Sequence, residues 1–122
     1  ELMWNDVGLL RTGDKLARAL DRIQAMRRDN LAALQPPGDA AFNMEILDWY
    51  DLRAGLLVAE TIAMAAINRR ESRGAHQRED LPNQDPEFEK NQTVTLDGET
   101  PVLGWMDVVR APRELSPVEA AQ

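Results

Sequence analysis

The stretch AGLLVAETIAMAAI, residues 54–67, decides the fold. Its apolar residues recur with helical spacing but point nearly all round, so a helix here must be covered on more than one side. Its small residues, Ala54, Gly55, Ala59, Ala63, Ala65 and Ala66, let a neighbouring backbone come close. At 14 residues, interrupted by Glu60 and Thr61, it is shorter than the about 20 apolar residues that a membrane span needs. The pattern therefore predicts the central helix of a bundle. Glu60 has no second carboxylate or histidine one turn away, so it reads as a solvent-facing or paired side chain rather than a catalytic acid.

Working backwards, Phe42, Ile46, Trp49, Leu52 or Arg53, Leu56, Ala59, Ile62 or Ala63 and Ala66 or Ile67 continue the same rod, which is predicted over about residues 40–72. Trp49 and the stretch around Ile62 are expected to lie in the core. QPPGD, residues 35–39, must break the chain before it, and Asp39 is a candidate N-cap. An amphipathic helix is predicted over about residues 13–34, from Leu16, Leu20, Ile23, Met26 or Arg27, Leu31 and Leu34. Thr12 or Asp14 starts it, and Asp14 precedes Arg18 at the favourable i,i+4 spacing. A short first helix is expected over about residues 2–10, weakened near its end by Gly8.

Working forwards, RRESRGAHQRED, residues 69–80, holds four arginines and the chain's only histidine, His76. Arg69 and Arg70 are placed to meet the negative end of the helix dipole, and Gly74 to turn the chain at a C-terminal cap. Arg73, His76 and Arg78 are left to face something negative. Residues 79–122 carry ten acids against Lys90, Arg110 and Arg113, so that segment could fold back onto the arginines. A neighbouring domain could serve instead. DLPNQDPEFEK, residues 80–90, reads as a surface loop. Asp97-Gly98 signals a hairpin over about residues 91–105, with Pro101 on an edge. The domain is expected to span residues 1–110, and residues 111–122 read as a flexible tail.

Composition narrows the chemistry. The chain of 122 residues has a net charge of −7, against a free-standing nucleic-acid binder, and no cysteine, which excludes disulfides, thiol chemistry and cysteine zinc sites. One histidine cannot supply the usual zinc set, and metal binding is not expected. Ser72 and His76 lack a third group to orient the base. No glycine-rich phosphate loop or dinucleotide fingerprint is present. Opening at Glu1 rather than Met, the chain reads as a domain cut from something longer or a processed product. From the residues themselves, it is a mainly helical domain with an arginine-rich seam and no complete active site.

Two motifs go further. MWNDVGLLR, residues 3–11, and RRESRGAHQREDLP, residues 69–82, resemble the opening and the signature of the C-terminal helical domain of the succinate dehydrogenase/fumarate reductase flavoprotein family. The resemblance covers about residues 2–105 and preserves their order. L-Aspartate oxidase has a similar segment, but the GAH-x-RED-x-P form looks more like the succinate dehydrogenase and fumarate reductase side. FEKNQTVTL, residues 88–96, departs from the pattern of many succinate dehydrogenases.

The resemblance implies a three-helix, spectrin-repeat-like bundle followed by a loop and a small β-hairpin. It implies a parent enzyme using FAD to move a hydride between a dicarboxylate such as succinate and the flavin, with electrons passing in some members to an iron–sulfur subunit. The family's flavin-binding and catalytic residues lie in upstream flavin-binding and capping domains, so no catalytic or cofactor-binding residue is carried over here. Glu71, Ser72, Gly74 and Ala75 are expected to be architectural. Arg73, His76 and Arg78 are expected to line the interface with the flavoprotein body. Such a subunit is expected in the cytoplasm, peripheral at the inner face of a membrane through partner subunits, without inserting into it. The alternative is an independent helical interaction module. A Gly-x-Gly-x-x-Gly segment upstream of Glu1 would favour the flavoprotein reading.

Overall fold

The computed structural model describes residues 1–34 and 43–110. Three helical rods are followed by an antiparallel hairpin, as the sequence predicts. The first rod, α1 (Leu2–Asp6), is shorter than expected. Gly8 accounts for this: a Cβ on it would meet the Trp4 carbonyl at 2.4 Å, so the backbone is folded tightly against α1 there. Leu10–Arg11 then leaves the helix as a short strand, β1.

The second rod starts at the predicted Thr12, whose hydroxyl accepts from the Lys15 N–H. It runs through α2 (Gly13–Ala25), a π-helical turn (Met26–Asn30) and a last turn, α3 (Leu31–Ala33). The π turn was not legible in the apolar spacing. Asp14 sits in the first turn rather than at the cap. Arg18 pairs not with Asp14 but with Asp6 of α1, at 2.6 Å, tying the first two rods together.

The third rod, α4, spans Met44–Asn68 and is capped by Asn43, whose side chain accepts from the Glu45 N–H at 3.0 Å. The expected break at residues 35–39, the Asp39 cap and Phe42 lie outside the described residues, as does the expected tail 111–122. The far end needs correction. α4 stops at Asn68, and Arg69 already has extended backbone. Arg69 and Arg70 therefore lie beyond the helix. Gly74 does adopt the left-handed conformation, φ +57°, but in a separate turn six residues after the helix ends.

The core lies where α1, α2 and α4 meet. It consists of Val7, Leu16, Ala19, Ile23, Ala63 and Ala66, backed by Leu2, Met3, Leu20, Leu56, Ala59 and Ile67. Alanines on both α2 and α4 bring these rods close, as the small-residue pattern implies. Full burial of Leu16 and Ile23 contributes about 1.5–3 kcal/mol each. Of the stretch around Ile62, Ala63 and Ala66 join this core, whereas Ile62 itself and Trp49 do not. Trp49 is half-buried, edge-on to Tyr50, and Ile62 is exposed. The α2-facing stripe of α4 instead passes through Glu60, Ala63 and Ala66. Among the described residues the outer face of α4, with Val58 and Ile62, is uncovered. None of the described helices is long and apolar enough to cross a membrane.

β1 pairs in parallel with β2 (Gln77–Arg78), a contact the sequence did not suggest. A 3-10 turn at Pro86–Phe88 leads into β3 (Lys90–Asp97) and β4 (Thr100–Asp107). The two-residue turn is Gly98-Glu99, one residue beyond Asp97-Gly98, because Asp97 pairs with Thr100. Gly98 supplies the left-handed φ of +61° that such a turn needs. The hairpin packs against α4 and the segment that follows it. Trp105 lies edge-on to Phe88 at 5.5 Å and under the Arg69 guanidinium at 5.2 Å. At the other end Arg53 of α4 pairs with Glu99 in the turn.

Candidate functional site: the arginine loop after the long helix

Residues 69–85 leave α4 as a loop with its own turns and are fastened by two carboxylates. Glu71 is fully buried. Its Oε1 accepts from Arg69 Nη1 at 2.7 Å and Arg73 Nε at 2.8 Å, and its Oε2 from Arg73 Nη2 at 3.0 Å and the Asp85 N–H at 2.8 Å. The Arg73 hydrogen bonds lead in holding this carboxyl down to about 2, against burial, which pushes it up. Arg69 also donates to the carbonyls of Phe88 and Lys90, and Arg73 to that of Asp85. Glu71 is thus the hub joining the end of α4 to the start of the hairpin.

Asp80 is the second anchor. Arg78, 5% exposed, grips it bidentately: Nε to Oδ1 and Nη2 to Oδ2, both at 2.8 Å. Asp80 Oδ2 also accepts from the Gly13 N–H at 2.8 Å, and Arg78 Nη1 donates to the Ala66 carbonyl at 3.3 Å. One ion pair therefore satisfies an orphan N–H at the start of α2 and a carbonyl near the end of α4. The two poles of the helix dipoles meet charges of the favourable sign. The Arg78 hydrogen bond leads in pulling the Asp80 carboxyl far below the usual carboxylate range.

Ser72 is buried between the anchors. Its hydroxyl accepts from the Arg78 N–H at 2.8 Å and donates to the Leu81 carbonyl at 2.9 Å. It is a loop staple and has no hydrogen bond to His76. Arg73 and His76 exchange backbone hydrogen bonds at 2.8 and 3.0 Å across a turn containing Gly74 and Ala75. A Cβ on Gly74 would meet nothing, so only its positive φ calls for glycine. Gly74 and Ala75 are exposed.

His76 faces inward to Arg11. Arg11 Nε donates to the Gly8 carbonyl at 2.8 Å, and its Nη1 lies 2.8 Å from His76 Nδ1. Arginine has donors only, so Nδ1 is the acceptor and the ring proton sits on Nε2. That Nε2–H donates to the Arg69 carbonyl at 3.1 Å. Burial, followed by the nearby Arg11, Arg78 and Arg69 charges, pushes the imidazole below its ordinary range against the pull of the Arg69 carbonyl.

Of the two alternatives, the following segment does fold back within the described residues: Asp80 meets Arg78, and backbone carbonyls of Asp85, Phe88 and Lys90 meet Arg73 and Arg69. Arg73 and Arg78, expected to face a neighbouring domain, have partners within this chain, and Arg78 is buried. Sequence reasoning missed Arg11 as a clamp, Asp80 as a bridge and Glu71 as a hub. The Arg78-x-Asp80 and Glu71-x-Arg73 spacings were available signals, since i,i+2 residues in extended chain share a face. Nothing local marked Arg11, because its partner is 65 residues away. Among the described residues no group of three or more His, Asp or Glu could hold a metal ion. A second buried carboxylate, Glu60, takes the paired rather than the solvent-facing alternative, with Arg27 and Gln24.

The unit is mainly helical, and its arginine loop ties the second rod, the end of the third and the hairpin together. The family described as "Fumarate reductase flavoprotein C-term" matches residues 1–120, and the chain belongs to it. It is 34% identical to a fumarate reductase (CoM/CoB) subunit of Methanothermobacter marburgensis over 85% of this chain and 19% of that protein. It is 33% identical to the 8-methylmenaquinol:fumarate reductase flavoprotein subunit of Wolinella succinogenes over 87% and 18%. A solved structure of the E. coli quinol fumarate reductase superposes with a TM-score of 0.80 at 29% identity, covering 91% of this chain and 20% of that one. The chain spans about a fifth of the length of these relatives. It is the C-terminal domain of a flavoprotein subunit of the fumarate reductase/succinate dehydrogenase kind.

Proposed function

We propose that residues 1–110 form a non-catalytic docking domain that packs against the flavin-binding and capping domains of a longer parent chain. That chain binds FAD upstream and moves a hydride between the flavin and a C4 dicarboxylate such as succinate or fumarate. Electrons pass to or from an iron–sulfur subunit, and the assembly sits peripherally at the cytoplasmic face of a membrane. The observation that carries the reading is the closed loop. Glu71, Ser72, Arg78 and Asp80 are used up in fastening the loop to α2, to α4 and to the start of the hairpin, which leaves no free acid, base or nucleophile among them. Its exposed rim, Gly74 and Ala75 with the one-third-exposed Arg73 side chain beside them, is the part of the signature free to touch another domain. His76 supports that rim from inside.

The test uses the full-length flavoprotein chain. Ala75→Arg places a bulky cation on the rim without touching the internal network. It should reduce fumarate reduction with an artificial electron donor and speed proteolytic release of this domain, while FAD stays bound. Unchanged activity and unchanged proteolysis would sink the rim as the docking contact. A full-length chain deleted from Leu2 onward that keeps full activity would sink the docking role altogether.

A further inference from the structure

We propose that His76 is a pH-operated latch: its neutral ring holds the signature loop onto the segment after α1, and protonation at Nδ1 breaks the Arg11 contact and loosens that junction. This goes beyond the docking role and does not depend on it. The geometry carries it. Arg11 is donor-only, so its contact with Nδ1 exists only while that nitrogen keeps its lone pair. An imidazolium would set N–H against N–H at 2.8 Å, with two positive charges face to face.

The surroundings offer no compensation. The charged groups acting on His76 are Arg11 from β1, Arg69 from the end of α4 and Arg78 from β2, all cations. The loop's carboxylates are engaged elsewhere: Glu71 by Arg69 and Arg73, Asp80 by Arg78 and the Gly13 N–H, and Glu79 by Lys15. The one group that favours a proton, the Arg69 carbonyl, already accepts from Nε2–H. The contact also holds a junction. Arg11 grips the Val7 and Gly8 carbonyls that end α1, and its own carbonyl accepts from the Glu79 N–H. Losing the imidazole frees the guanidinium that spans these two segments.

The direction follows from proton binding. An imidazole in the opened loop takes up a proton near its ordinary value of about 6.5, and in the closed loop only at lower pH. Closure is therefore complete above about pH 6.5. It weakens as pH falls, by up to about tenfold per pH unit, until the closed form protonates as well. Glu71, held at about 2 from an ordinary 4.5, and Asp80, lowered further, act in a separate and more acidic window.

The experiment is amide hydrogen exchange by mass spectrometry on the full-length flavoprotein chain. Peptides covering residues 8–12 and 69–80 are followed at pH 7.5 and 5.5, with intrinsic rates divided out. The wild type should lose protection severalfold at pH 5.5 in both segments. His76→Gln, which cannot titrate, should show no such loss. Protection that is equal at the two pH values in the wild type, or that falls as much in His76→Gln, overturns the latch. Should His76→Gln not fold, Arg11→Gln decides. The amide oxygen introduced by that substitution accepts from a protonated Nδ1, so protection should no longer drop at pH 5.5, and a full wild-type drop there also refutes the proposal.

Discussion

Asp80→Asn keeps the shape of the side chain and removes its charge. In the wild type the carboxylate accepts three bonds at 2.8 Å: two from Arg78 and one from the Gly13 N–H. Hydrogen bonds to charged groups contribute about 1.5–3 kcal/mol each, so the three together stand at about 4.5–9 kcal/mol before solvent is considered. Asparagine keeps one acceptor oxygen, which in the better orientation takes the Oδ2 place and still accepts from Arg78 Nη2 and the Gly13 N–H, while its NH₂ opposes Arg78 Nε. One bond is lost outright, the other two weaken to about 0.5–1.5 kcal/mol each, as for a neutral acceptor, and the guanidinium left short of its counter-charge is 5% exposed. The Asp80 side chain itself is 39% exposed, so water recovers part of the loss. The expected cost is the low end, about 3 kcal/mol. With a urea m-value of about 1.5 kcal/mol/M, the unfolding midpoint falls by about 2 M, read by far-UV circular dichroism. The loss should shrink in an Arg78→Met background, where no buried cation is stranded. A midpoint within about 0.3 M of the wild type would refute the view that this pair bridges α2 and α4.

Ile23→Ala should cost about 3–4 kcal/mol, because Ile23 is 1% exposed at the centre of the core. Trp49→Ala should cost less, despite the larger side chain, and the reverse order in parallel urea titrations would show the core misplaced. Stability held by Glu71 should be complete above pH 4.5 and decline as pH falls towards 2, since its folded carboxyl is depressed and the unfolded one is not. Glu71→Gln should be less stable at neutral pH and lack that acid-side decline in a pH series of unfolding midpoints.

The local rules were readable along the chain. Hydrophobic spacing placed three rods and a hairpin, Thr12 marked a helix start, and glycines at 74 and 98 marked left-handed turns. These features depend on a residue and its near neighbours, which is why one sequence carries them. The motifs at residues 3–11 and 69–82 placed the chain in its family because their order and separation are written in the sequence. Which face of α4 is inside was not decided there. Apolar residues on every side give no preferred direction, so Ala63 and Ala66 became core, and Trp49 and Ile62 did not, only when α2 docked.

The partners of the arginines were also a tertiary matter. Composition said that positive charge had to be met, but not whether by another domain or by this one. The chain ends α4 at Asn68, so that Glu71 meets Arg69, Arg73 and the Asp85 N–H, and Asp80 arrives where the start of α2 needs a negative charge. Arg11 and His76 lie 65 residues apart and become one hydrogen-bonded pair only because β1 and β2 run side by side. Short-range propensity is additive along a sequence, whereas a buried charge is settled by whatever the fold brings within about 3 Å of it.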